Sequence, residues 1–291
     1  MALAALGGLT PALILGGLIA TGEPGERPPF LSAAPEAART PGREPPGDTI
    51  EAAGSGANVP LTRLLAERFA AGGGTPLVVH ASIGSRGGIL AAADGAVALG
   101  LVSRPLGSKE AALGLDVVPY ARAEVVLAAH PDTPEEALGP DDVLAIYRGE
   151  RATWRDGTPI TVFLREVGDS GQEALARALP GFGEAIAEAH RTRRFRVLYR
   201  ERDMEESLRA TPGAIGVFDT GLAATDISSD GASLRLIRVT GVVATRDLAF
   251  VHRVGDTRAA AFLAFVRSPA GREVIADRHY LPLAPPGTGA P

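Results

Sequence analysis

Residues 49–65, TIEAAGSGANVPLTRLL, join a short apolar run to a Gly/Ser turn and then to the start of a helix. The run 49–53 predicts a strand, and Pro60 stands where proline often opens a helix. The apolar residues that follow share one helical face, namely Leu61, Leu64, Leu65 and Phe69. A strand that turns directly into a helix is the repeating unit of α/β folds, so this stretch predicts that class.

Two further Gly/Ser turns, Gly84–Gly88 and Gly168–Gly171, also run into predicted helices. The first N–H groups of a helix have no intrahelical partner, and the macrodipole makes that end partly positive. Glycine allows close approach of a ligand to the backbone, and serine adds a hydroxyl group. Three such turns that meet at one point would form an anion site, whereas any single turn can equally be an ordinary helix cap.

Strand, turn and helix patterns alternate from Thr49 onward, which predicts α/β lobes with mostly parallel sheets and flanking helices. The extended run 116–129 is a candidate crossing between lobes. Later strands are predicted at 214–218, 234–239 and 249–253.

Composition excludes several classes of function. The net charge of −5 over 291 residues argues against nucleic-acid binding and against a polybasic membrane-surface protein. The absence of cysteine excludes disulfides, thiolate metal sites and cysteine catalysis. The five histidines have no metal-ligand spacing, so we expect no metal site, no cofactor and no catalytic residues.

The amino-terminal region predicts export. In the segment 1–22, Ala20 and Gly22 fit the small positions of a secretory cleavage site, but no Lys or Arg precedes Arg27. We therefore expect an atypical signal that either exports the protein or retains it as an anchor. Residues 23–47 are proline-rich and predict a disordered linker, and 285–291 predict a disordered tail.

Motifs spread over most of 49–283 resemble the PstS-type phosphate-binding proteins of ABC importers, within the periplasmic binding protein superfamily. In chain order they are Gly54–Pro60, Ser82–Ile89, Leu99–Leu106, Ile146–Gly149 with Trp154 and Pro159–Thr161, Arg165 with Gly168–Gly171, Pro212–Val217, and Phe262–Ser268 with Gly271 and Tyr280–Pro282. Each motif alone is weak evidence for this family, but the full set in this order is specific for it.

The resemblance implies a two-lobed Venus-flytrap fold with the ligand cleft between the lobes. Lobe 1 would comprise 48–123 plus 244–284, and lobe 2 would comprise 124–243. It further implies an extracytoplasmic, periplasmic solute-binding protein that is a monomer and not an enzyme. Such a protein would capture a tetrahedral oxyanion, foremost phosphate, and present it to ABC permease subunits in the membrane.

The resemblance also assigns ligand contacts residue by residue. The implied donors are the Asn58 side chain, the Val59 N–H, Ser85, the Arg165 guanidinium, and Ser170 with the Gly171 N–H; Ser103 stands where well-known members carry an aspartate. The spacing from Arg165 to Ser170 is one residue longer than in those members. Asp169 could therefore replace the missing acceptor, or it could orient Arg165.

Three alternatives stay open at this point. The ligand could be sulfate, molybdate or tungstate, or the fold could serve as an anion sensor outside transport. The tetrapeptide Gly168–Gly171 also copies the surroundings of a serine-hydrolase nucleophile, with His130 as a matching histidine. Only forty positions separate His130 from Ser170, too few for the intervening strands of a chymotrypsin-like double barrel, so the hydrolase is the distant alternative.

Overall fold

The computed structural model describes residues 49–221 and 233–284. The predicted export segment 1–22, the predicted linker 23–47 and the predicted tail 285–291 lie outside the described residues.

Strands and helices alternate along the described chain, as the α/β prediction requires. The strands are β1 (Ile50–Gly54), β2 (Leu77–Val79), β3 (Leu99–Val102), β4 (Leu115–Ala129), β5 (Ala137–Leu138), β6 (Thr161–Arg165), β7 (Arg196–Leu198), β8 (Ala214–Asp219), β9 (Arg235–Val239), β10 (Ala244–Arg253) and β11 (Leu281–Pro282). The helices are α1 (Val59–Ala71), α2 (Gly84–Ala93), α3 (Ser108–Ala111), α4 (Pro140–Arg148), α5 (Ser170–Ala178), α6 (Phe182–Arg191), α7 (Glu201–Ala210), α8 (Ala260–Arg267) and α9 (Pro269–Ala276).

The strands form one curled mixed sheet, and its main path runs in the order β2-β1-β3-β10-β4-β8-β6-β7. The remaining strands branch from this path: β9 and β11 pair with β4, and β5 pairs with β9. The outer pairs β1–β2, β1–β3, β6–β7 and β6–β8 are parallel, as predicted. The central strands β10 and β4 instead pair with each other and with their neighbours in antiparallel fashion. Parallel βαβ units therefore flank an antiparallel centre.

Two hydrophobic clusters lie on either side of this centre. One draws its residues from 50–123 and 248–280, with Tyr120, Phe250 and Phe262 among its largest buried side chains. The other draws its residues from 125–244, with Tyr147 and Phe182 among its largest. Strand β4 contributes to both clusters and confirms the extended run predicted at 116–129, while its role as a crossing between lobes stays a prediction. The exact lobe boundaries remain a prediction.

Within 49–221 and 233–284, no helix combines the length and the hydropathy that a membrane span requires.

Candidate functional site

The first two Gly/Ser turns pack directly on each other because their glycines lack a Cβ. Gly54 has φ +150°, and a Cβ there would lie 2.2 Å from the Leu101 carbonyl oxygen. A Cβ on Gly88 would lie 2.7 Å from the Cα of Gly54. This close approach brings the start of α2 against the carboxyl ends of β1 and β3. The serines that follow β1 and β3 therefore meet the serine in the first turn of α2.

Four serine hydroxyls from separate segments form one hydrogen-bonded cluster. Ser103 Oγ lies 2.7 Å from Ser55 Oγ and 2.8 Å from Ser170 Oγ. Ser85 Oγ lies 3.4 Å from Ser103 Oγ and accepts from the Ser103 N–H at 3.3 Å. A hydroxyl offers one donor and two acceptor sites, so these contacts use the full capacity of Ser103. The structure thus brings together the predicted residues Ser85, Ser103 and Ser170, and adds Ser55.

The third turn positions Ser170 at the first residue of α5. Asp169 caps this helix, since its Oδ1 accepts from the N–H groups of Gly171 and Gln172, each at 3.0 Å. A carboxylate at a helix N-terminus satisfies donors and complements the macrodipole. The Gly171 N–H therefore serves the helix cap here, and its role as a ligand donor stays a prediction.

Arg165, the last residue of β6, is 5% exposed. Its Nη2 donates to the Tyr199 carbonyl at 3.2 Å and to Glu166 at 3.4 Å. Its Nε lies 3.5 Å from Asp169 Oδ2, at ion-pair distance but without hydrogen-bond geometry. Within the part of the chain that the structure describes, both Nε and Nη1 are buried without a hydrogen-bond partner. A buried guanidinium with two unused donors is costly unless a ligand completes it.

The contacts of Asp169 favour the second of its two predicted roles. Its Oδ1 caps α5 and its Oδ2 lies at ion-pair distance from Arg165, where it can orient the guanidinium; both roles stay predictions.

A cavity of about 340 Å³ opens between these groups. Three of the four serines and Arg165 line it, and Ser103 is buried and hydrogen-bonded to all three of those serines. The full lining comprises Ser55, Gly56, Ser82, Gly84, Ser85, Arg86, Arg104, Arg165, Glu166, Val167, Gly168, Asp169, Ser170, Glu173 and Glu201.

Two predicted residues belong to the protein interior. Asn58 is fully buried, and its amide donates to the carbonyls of Val102 at 3.1 Å and Ala249 at 3.2 Å. The Val59 N–H donates to the Gly56 carbonyl at 3.3 Å. The Asn58 amide thus ties the first turn to β3 and β10, and the Val59 N–H closes the turn on itself; the donor roles of both toward a ligand stay predictions.

Sequence reasoning missed a buried ion pair beside the cluster. Arg246 is 4% exposed and donates from Nη1 to Ser170 Oγ at 2.9 Å and from Nη2 to Asp219 Oδ2. Asp219 is fully buried and also faces the Tyr280 hydroxyl at 3.5 Å. Burial alone would lower the pKa of Arg246, but the carboxylates of Asp219 and Glu201 outweigh it and raise that pKa.

Glu201 was missed as well. It opens α7, its side chain is 17% exposed, and it lines the cavity. Burial is the largest cause that raises its pKa, to about 7, against the opposing effect of Arg165 and Arg246.

A signal for Arg246 is present in the sequence. Along β10 the buried positions Ala244, Arg246 and Leu248 alternate with the more exposed Thr245 and Asp247. An arginine on the inward face of such an alternating strand requires a buried partner. The strand was predicted to begin at Ala249, which hid this position.

A family model described as a PBP superfamily domain matches residues 39–252, well over half of the chain. The chain belongs to the PBP superfamily. No curated protein sequence matches it at a significant level.

Solved structures show the same fold. A Clostridium perfringens protein, assigned as a phosphate ABC transporter substrate-binding protein and solved with bound phosphate, is 21% identical with a TM-score of 0.70 and covers 81% of this chain and 100% of its own. An ABC-type phosphate transport receptor from Vibrio cholerae is 18% identical with a TM-score of 0.56 and covers 80% and 99%. The reduced regulatory domain of OxyR from Pseudomonas aeruginosa is 10% identical with a TM-score of 0.54 and covers 75% and 97%. These likenesses establish the two-lobed binding-protein fold for this PBP superfamily member.

Proposed function

We propose that this protein is an extracytoplasmic solute-binding protein that captures a tetrahedral oxyanion, foremost phosphate, in the cavity beside Arg165. One observation carries the proposal. The cavity is lined by a buried guanidinium with two unpartnered nitrogens and by hydroxyls from separate turns. Such a set of donors replaces the hydration shell of an oxyanion.

The number of donors is sufficient for tight binding. Arg165 offers Nε and Nη1, and Arg86 at the exposed rim makes no hydrogen bond within the described ranges. Each hydrogen bond to a charged group contributes about 1.5–3 kcal/mol. Several together reach micromolar affinity after association costs of several kcal/mol.

Transport by an ABC importer is the role we propose for this binding. The similar proteins from Clostridium perfringens and Vibrio cholerae bear phosphate-transport descriptions, which supports permease subunits as partners and a periplasmic location. Contacts from segments on both sides of the cleft would favour a closed form on ligand binding.

Binding without catalysis is part of the proposal. The described hydrogen bonds of Ser170 Oγ go to Ser103 and Arg246, and neither group is a general base. His130 instead accepts from the Asp132 N–H at 3.2 Å through Nδ1. These contacts support a binding role for the Gly168–Gly171 turn over a hydrolase role.

A thermal-shift screen with phosphate, arsenate, sulfate, molybdate and tungstate tests the proposal. Phosphate at 100 times its Kd is expected to stabilise the native state by about 2.7 kcal/mol and to raise Tm by about 5–10 °C. Sodium chloride at matched ionic strength is the control. If none of the five anions raises Tm beyond that control, the protein is not an oxyanion-binding protein. A shift with another anion alone would replace phosphate as the ligand.

A further inference from the structure

The cavity that we propose as an anion site carries a surplus of negative side chains. Its lining includes three arginines against four carboxylates, namely Arg86, Arg104 and Arg165 against Glu166, Asp169, Glu173 and Glu201. The buried pair behind it, Arg246 with Asp219, leaves this balance unchanged. When every lining side chain is ionised, the carboxylates thus exceed the arginines by one charge, and this excess opposes the entry of an anion.

Glu201 differs from Asp169 and Glu166 in its contacts. Asp169 caps α5 and pairs with Arg165, and Glu166 lies 3.3 Å from the same guanidinium. Glu201 makes no hydrogen bond within the described part of the chain, and its Oε1 lies 4.0 Å from Arg246 Nη2. A largely buried carboxylate that accepts no hydrogen bond is destabilised as an anion.

Charges of both signs face Glu201 from the neighbouring elements. Arg165 at the end of β6 and Arg246 on β10 favour its ionised form. Asp169 before α5 and Asp219 at the end of β8 oppose it, and burial opposes it more strongly than any of these groups. The resulting pKa of about 7 lets Glu201 change its charge near neutral pH.

Resting on the proposed anion site, we propose that Glu201 is a ligand residue that binds the anion as a neutral carboxyl, so that anion capture takes up one proton. The proton comes from water or buffer and is transferred to a carboxylate oxygen of Glu201. The new O–H group then donates to an anion oxygen, and the protonation of the anion itself does not change. In its ionised form Glu201 offers only acceptors and adds to the repulsion.

Calorimetry on the full chain with phosphate at pH 8.5 measures this coupling. Free phosphate is then largely the dianion and Glu201 largely ionised, and two buffers with different heats of ionisation give the protons taken up per phosphate bound. We expect about one proton for the wild type and none for Glu201→Gln. Glu206→Gln, an exposed position on the same helix, should match the wild type.

The affinity should show the same coupling. Between pH 7.5 and 9, wild-type affinity relative to Glu201→Gln is expected to fall about tenfold per pH unit. Because both proteins bind the same ligand, the protonation of phosphate affects both affinities equally and drops out of their ratio.

The outcomes separate this inference from the proposed function. Phosphate binding by the wild type without proton uptake would overturn the role of Glu201, because it would mean that the carboxylate stays ionised, and would leave the anion site intact. Equal proton uptake by the wild type and by Glu201→Gln would also overturn the role of Glu201 and leave the anion site intact. Absence of phosphate binding to the wild type would overturn both. A wild-type count of zero overturns the role of Glu201 even if the variant does not fold.

Discussion

Arg165→Ala is expected to weaken phosphate binding by about 2–4 kcal/mol, which is roughly 30- to 1,000-fold in Kd. The loss is large because Nε and Nη1 are buried and have no hydrogen-bond partner among the described residues, so the anion would be the acceptor for both. Isothermal calorimetry with phosphate on wild type and variant measures the change.

Arg165→Lys and Arg191→Ala serve as controls for this experiment. Lysine keeps the charge but loses the planar fork, so an intermediate affinity is expected. Arg191 is exposed and pairs with Glu188 on α6, so its removal should leave Kd unchanged. Melting curves without anion establish that each variant is folded. Unchanged affinity in a folded Arg165→Ala protein would exclude this guanidinium as the anion contact.

Arg246→Met is expected to lower the free energy of unfolding by about 3–5 kcal/mol. The substitution removes the guanidinium that Asp219 and Ser170 both contact, and leaves the fully buried Asp219 carboxylate without that charge partner. Urea unfolding at pH 7 gives the difference.

The double variant Arg246→Met, Asp219→Asn distinguishes a lost charge pair from poor packing. Removing the second charge should recover a large part of the lost stability, because the penalty comes from a buried carboxylate that the Arg246 guanidinium no longer neutralises. Asp247→Asn on the exposed face of β10 provides a matched control with a small effect expected. A loss below about 1 kcal/mol for Arg246→Met would contradict the account of a buried pair that requires both members.

Local sequence patterns predicted much of the fold correctly. The long apolar run at 116–129 became β4, which spans Leu115–Ala129 and joins the two cores. The Gly/Ser turns did precede helices, and the serines of all three turns meet at Ser103. These features follow from glycine geometry and apolar periodicity, which are properties of neighbouring residues.

The contacts that the sequence did not predict involve groups whose partners are distant in sequence. Asn58 was expected to bind a ligand, but its amide meets the Ala249 carbonyl, 191 positions away. Arg246 and Asp219 acquire their role only when β10 and β8 flank β4. A polar side chain after a turn has the same local signature whether it binds an anion or another part of the chain.

The third turn shows the same ambiguity at short range. Its N–H groups were expected to bind the ligand directly, whereas Asp169 accepts from Gly171 and Gln172. Helix caps and anion sites use the same donors, so the sequence alone could not separate them.

A crystal structure of the full chain with phosphate at saturating concentration tests the central claim most directly. We predict one phosphate in the cavity, with its oxygens about 2.7–2.9 Å from Arg165 Nε or Nη1 and within hydrogen-bond distance of the Ser85 and Ser170 hydroxyls. Phosphate bound elsewhere, with this cavity occupied only by water, would contradict the account.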